Sequence, residues 1–174
     1  MKYIEAVNRH AVLSLVPGEG LDDEARVAIT LNIVSYERAI AAFDEELAKA
    51  AEKFKGEGFN ERMAAFALAV EPPEKPSEEQ AKKIEELRED PGFEAFRKEY
   101  EDVSRQYVEA RRQAMEAREL KVCEYPLMKH LPAISRVLPS GGKVTQHRAD
   151  GSDDRQIDNQ AIFAGVVGIA SKHK

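Results

Sequence analysis

The sequence predicts an all-α fold: an elongated antiparallel helical hairpin, coiled-coil-like, with shorter helices packed at one end. Three observations carry that expectation. Ala, Glu, Lys and Arg outweigh the β-branched residues, and Trp is absent, a balance that favours helix over sheet. Two long stretches repeat apolar residues in alternating steps of three and four, the signature of a heptad seam. A Pro- and Gly-punctuated connector separates them, as an antiparallel pair requires. The chain has 174 residues, 43% of them hydrophobic, enough for one domain with a real core.

Taken in order, Tyr3, Val7, Ala11 and Leu15 recur at helical spacing, so residues 3–15 read as a short amphipathic helix. The stretch "PGEG" at 17–20 ends it. Asp22 or Asp23 then caps a long helix with acids in its first turn, where the macrodipole favours them. Its seam runs Ile29, Ile33, Tyr36, Ile40, Phe43, Leu47, Ala50, Phe54. Asp90 and Pro91 open a second long helix, with the seam Phe93, Phe96, Tyr100, Val103, Tyr107, Ala110, Ala114, Ala117. Each seam is about 36–38 Å long at the helical rise. Run antiparallel, Ile29, Ile33 and Tyr36 meet Ala117, Ala114 and Ala110, large opposite small.

Residues 1–139 thus read as the hairpin domain, with an inserted helical connector at 55–92. In that connector "FNERMAAFALAV" is a short helix capped by Asn60, whose Met63, Phe66 and Val70 share a side and are candidate contacts for a partner or a second copy. "EPPEKP" is an extended break, and "SEEQ" at 77–80 has capping-box form. The first long helix carries a second apolar stripe, Val27, Leu31 and Val34, that needs a cover. Residues 140–156 read as a flexible loop, with a small hairpin at "DG" as an option. Residues 157–174 form an apolar tail, uncharged from Asn159 to Ser171 and expected to dock on its own core or on a partner. Ile162, Phe163, Val166 and Val167 are its candidate contacts, and it is too short to span a bilayer.

The formal net charge is −6. Residues 71–102 hold 12 acids and 6 bases, whereas 103–149 hold 9 bases and 4 acids. Within that basic zone Arg105 and Arg112, and Arg111 and Arg118, lie seven apart on one helix and are candidate contacts to nucleic acid or an acidic partner. Glu109, Glu116 and Glu119 offset them, so nucleic acid is the alternative rather than the leading reading. Cys123 is the lone cysteine and reads as a small apolar packing residue. It excludes an internal disulfide and a cysteine-based zinc site, and the N-terminus lacks a signal-peptide core, which together point to a cytoplasmic protein.

Four stretches or residue sets come near a chemical motif. "SGGKVT" at 140–145 lacks the glycine and the hydroxyl residue of a phosphate loop. Asp150, Ser152, Asp154 and Asp158 alternate like a calcium loop, but Arg155 and Ala161 stand where that loop needs Gly and Glu. His10, His130, His147 and His173 show no ligand spacing. Ser140 lacks a nucleophile elbow. No catalytic, cofactor or metal residue is assigned, and the chain reads as a non-enzyme. An enzyme with a scattered site is the least favoured reading.

The strings "EARVAITLNIVSYERAIAAFDEELAKA" and "FRKEYEDVSRQYVEA" resemble those of small phage-encoded helical proteins of unknown function found near tail genes. The resemblance covers about residues 3–120 and transfers no site residues. It implies a virion or assembly role, within the host cytoplasm or the particle. The expected function is therefore a non-enzymatic helical structural or interaction protein, working as a homo-oligomer or with a protein partner and without a membrane.

Overall fold

The structure is a computed structural model that describes residues 1–146 and 155–173. The described residues are mostly helical: α1 (Tyr3–Ser14), α2 (Asp23–Ala51), α3 (Phe59–Val70), α4 (Glu78–Arg88), α5 (Phe93–Ala117), α6 (Leu131–Val137) and α7 (Asn159–Ala170). A small antiparallel ribbon, β1 (Lys143–Gln146) and β2 (Arg155–Asp158), pairs Lys143 with Asp158 and Gln146 with Arg155. The ends of the stretch read as loop are thus strands. His147 and the calcium-like Asp150, Ser152 and Asp154 lie outside the described residues. Contacts divide the chain into two units, residues 1–44 with 115–174, and residues 45–114.

The first unit holds the larger core. Ala6 and Leu13 of α1, Ala25, Ile29 and Tyr36 of α2, Ile134 of α6, and Ile162, Val166 and Ile169 of α7 are all buried in it, with Leu127 and Leu138 from the connecting segments. The buried face of α1 is Tyr3, Ala6, Arg9 and Leu13, rotated from the expected Tyr3–Val7–Ala11–Leu15 stripe, and Ala11 is exposed. An Arg at a core-facing position misled the apolar count. Asp22 caps α2 by accepting from Ala25 N–H at 2.8 Å, and Asp158 caps α7 by accepting from Gln160 N–H at 2.7 Å.

Residues 118–127 have no regular structure and form an extended strap. Leu120 and Met1 exchange backbone hydrogen bonds, at 2.7 Å from the Leu120 N–H and 3.2 Å from the terminal amine. Downstream, Asn32 of α2 reads the strap in both directions: its amide donates to Tyr125 C=O and its oxygen accepts from Tyr125 N–H, each at 3.0 Å. Ser35 Oγ accepts from Cys123 N–H at 3.1 Å. A non-helical backbone has unspent donors and acceptors, and these two α2 side chains satisfy them.

The large-opposite-small pairing needs correction at this end. Ile29 and Tyr36 belong to the core that α1, α6 and α7 share, and Ala117 is exposed. The strap and the C-terminal helix supply the cover that was assigned to the second seam. The tail is core of its own chain: Ile162 and Val166 are buried and Phe163 packs beside them, whereas Val167 is exposed. It packs against α1 and α6, in the core that Ala25 and Ile29 of α2 also enter. Val27 stays 55% exposed and Leu31 38%, whereas Val34 is half-buried beside the strap, so the second stripe is only partly covered by this chain's described residues.

The second unit is built on phenylalanine. Phe59, Phe66, Phe93 and Phe96 are buried together, with ring centroids 5.4–5.6 Å apart. Met63 and Val70 pack against that cluster. Phe66 is thus core of the chain itself, while Met63 and Val70 are half-buried beside it. Helix α3 starts at Phe59 after Gly58, which is left-handed at φ 68°, so glycine and not Asn60 makes the entry. Helix α5 starts at Phe93, because Asp90 forms a turn by accepting from Gly92 N–H at 2.7 Å before the helix begins. The capping box of α4 forms as read: Gln80 N–H to Ser77 Oγ at 3.2 Å, and Ser77 N–H to Gln80 Oε1 at 2.8 Å.

Candidate functional site

Two features of the first unit stand apart from ordinary core: a buried charge cluster and an uncovered apolar face. The cluster centres on Arg9, which is 7% exposed. Helix α1 sets Glu5 and Arg9 four apart, so they meet on one face, at 2.6 Å. The strap brings Glu124, which pairs with Arg9 and also accepts from the Tyr36 hydroxyl. Lys172, just past α7, pairs with Glu5.

The chemistry of this cluster is that of a lock. Burial works against the Arg9 charge, but hydrogen bonds with Tyr36, Glu124 and Glu5 outweigh it and raise its pKa. Burial first, and the Glu124 carboxylate second, push the Tyr36 hydroxyl up. The hydrogen bond from Lys172 leads in holding Glu5 below the usual carboxylate range. Each shift moves the pKa further from neutral pH, fixing Arg9 and Glu5 as charged and Tyr36 as a neutral phenol, the opposite of what a general acid or base needs. The cluster ties the N-terminal helix, α2, the strap and the C-terminus together.

Beside it, α1 and α7 leave a groove of about 430 Å³ that includes Ile4, Asn8, Val12, Gly165 and Gly168. The helices approach so closely that a β-carbon on Gly165 would lie 2.9 Å from Val12 Cγ1, while one on Gly168 would meet nothing. Apart from the Glu5–Arg9–Lys172 charges already paired, the groove offers no convergent polar groups.

The uncovered face lies on α2. Val27 and Leu31 are exposed on it, Val34 is half-buried, and the strap lays Tyr125, 38% exposed, beside Leu31 and Val34. Between helix and strap is a cavity of about 350 Å³, lined by Leu31, Val34, Ala42 and Tyr125 and edged by Arg38 and Lys121. Cys123 also lines it and is exposed, which corrects its reading as a packing residue: its backbone N–H ties the strap to Ser35 while its side chain stays at the surface. Neither Arg38 nor Lys121 pairs with an acid among the described residues. The opposite end of the face is acidic, with Glu19, Asp22, Asp23 and Glu24 exposed.

The basic candidates are engaged locally. In the second unit Arg105 pairs with Asp102, and Arg112 donates to Glu109 at 2.7 Å. Hydrogen bonds from Arg112 and then Gln113 hold Glu109 down at about 2. Arg111 is half-buried. In the first unit Arg118 sits over the Phe43 ring, 5.5 Å from its centroid. These four arginines do not form one free cationic row. Among the described residues no group of three His, Cys, Asp or Glu could hold a metal ion, and no helix is long and apolar enough to cross a membrane.

Comparison with protein families, with curated proteins and with solved structures gives no match. Sequence reasoning found the stripe on α2 but expected it to be filled, and it missed the Arg9–Glu124 cluster. The one available signal for the cluster was an arginine at a position that the helical register turns inward.

Proposed function

We propose that the protein is a non-enzymatic helical interaction protein, an assembly component of the kind that the resemblance to phage-encoded proteins implies. The observation that carries this reading is the apolar face of α2. Val27 and Leu31 stand exposed one turn apart there, with Val34 half-buried beyond them, and Asn32 and Ser35 hold the strap beside the helix by hydrogen bonds. Scattered exposed apolar residues need no explanation, but a contiguous face with charged ends is the form of a protein-binding surface. The polar groups elsewhere are spent on each other and hold their charge states, which supports binding over catalysis.

A photo-crosslinking side chain in place of Leu31 tests the reading in the producing cell. A single adduct, identified by mass spectrometry and lost when the probe is moved to the exposed Lys49, is the expected result. Equal, diffuse labelling at both positions would overturn it.

A further inference from the structure

The face on α2 is self-complementary. Its line is Glu24, Val27, Leu31, Val34, Arg38, in steps of three, four, three and four. Glu24 and Arg38 each stand seven residues, two helical turns, from Leu31. Turning a second α2 antiparallel about Leu31 brings Arg38 of each helix to Glu24 of the other. Val27 then meets Val34, and Leu31 meets its own copy. The charged surroundings obey the same symmetry. Arg38 and Lys121 edge one end, and Glu19, Asp22, Asp23 and Glu24 outnumber the bases at the other, where Lys129 pairs with Glu24 at 3.2 Å and Arg26 with Asp23 at 3.6 Å. A two-fold axis superposes those ends with opposite signs. A parallel copy would set acid on acid and base on base.

We propose that the occupant of this face is a second copy of the chain, docked through an antiparallel α2–α2 contact with its dyad at Leu31. The proposal rests on the reading of the face as a protein-binding surface and names the partner. A two-fold interface is isologous: the same patch serves both sides, so an apolar centre with opposite charges equidistant from it is what such a contact demands. The steps of three and four are those of a left-handed helix pair, in which Val27, Leu31 and Val34 act as knobs. Tyr125, held in the strap by Asn32, flanks the pair and widens the apolar area beyond two helices. Across the dyad Arg38 joins the exposed Glu24–Lys129 pair of the other copy and gains an acid that it lacks among the described residues of its own chain.

The test uses the full chain. Sedimentation velocity across a concentration series should show a reversible dimer. Leu31→Glu, which puts two carboxylates at the dyad, should weaken it at least about tenfold, the effect of losing a central contact worth more than 1.4 kcal/mol. Arg38→Glu, which turns the complementary ends repulsive, should act in the same direction. Both positions are exposed, so unchanged circular dichroism and melting of the diluted variants confirm that the fold is intact. In a Cys123→Ser background, Leu31→Cys should oxidise to a covalent dimer much faster than Thr30→Cys, which stands at the same height but off the face. A strictly monomeric protein at all concentrations, or equal oxidation at 30 and 31, overturns the second-copy proposal. A monomer that still forms one identified adduct with a different protein at Leu31 overturns this proposal alone and leaves the interaction reading standing.

Discussion

Arg9, Glu124, Tyr36 and Asn32 each hold polar atoms inside an otherwise apolar core, and each has a partner whose loss is expensive. Arg9→Ala leaves Glu124, 14% exposed, beside no cation at that contact. Breaking one side of a buried pair typically costs about 3–5 kcal/mol. Urea unfolding should register a loss of that size, and less for the paired Arg9→Met, Glu124→Gln variant, which removes both charges together. Asn32→Ala abandons the two hydrogen bonds to Tyr125, for roughly 2–3 kcal/mol. Tyr36 adds a pH dependence. Its folded-state pKa is raised above the ordinary 10.0, so its contribution is fully present below pH 10 and is lost as pH rises further. Denaturation at pH 8 and at pH 11 should show a fall in stability that Tyr36→Phe reduces. An identical fall in the variant would contradict that role. None of these partnerships was legible in the sequence, because Glu124 and Tyr125 lie about ninety residues from their partners and the strap has no periodicity to read.

Elements were more legible than their neighbours. The heptad steps located α2 and α5, and the Ser77–Gln80 pattern located the start of α4, since local hydrogen bonds and periodic burial are written locally. What covers each face is a tertiary fact. The two glycines of α7 illustrate the gap: nothing in "GVVG" tells them apart, yet an added β-carbon would meet Val12 at Gly165 and open space at Gly168. The two positions should therefore respond oppositely. Gly165→Ala forces a β-carbon to within 2.9 Å of Val12 Cγ1, and overpacking of that kind costs about 1–3 kcal/mol. Gly168→Ala meets open space, and its better helix propensity should stabilise by up to ~1 kcal/mol. Thermal melts of the two variants that move in the same direction would count against the α1–α7 crossing.

At the scale of the molecule, the first unit draws its core from both ends of the chain, residues 1–44 and 115–174, and the second from the middle. That arrangement makes the C-terminal helix a structural requirement rather than an appendage. Ile162, Val166 and Ile169 are 2%, 0% and 4% exposed. Burial of such side chains contributes about 1.5–3 kcal/mol each, a sum on the order of the ~5–15 kcal/mol that holds a whole domain folded. Removal of residues 159–174 also takes away Asn159, which bridges to Gly142 C=O and Pro139 C=O at 3.0 and 3.1 Å, and Lys172, the partner of Glu5. The truncated chain 1–158 should lose cooperative unfolding of the first unit. Tyr3 and Tyr36, both buried there, supply the readout, because no tryptophan obscures tyrosine fluorescence or the near-ultraviolet dichroism. Loss of the tyrosine dichroic signal on truncation is the expected outcome. A truncated protein with native tyrosine spectra and an unchanged melting temperature would mean that the tail does not close this core, and that the apolar run from Ala161 to Ala170 serves some other surface.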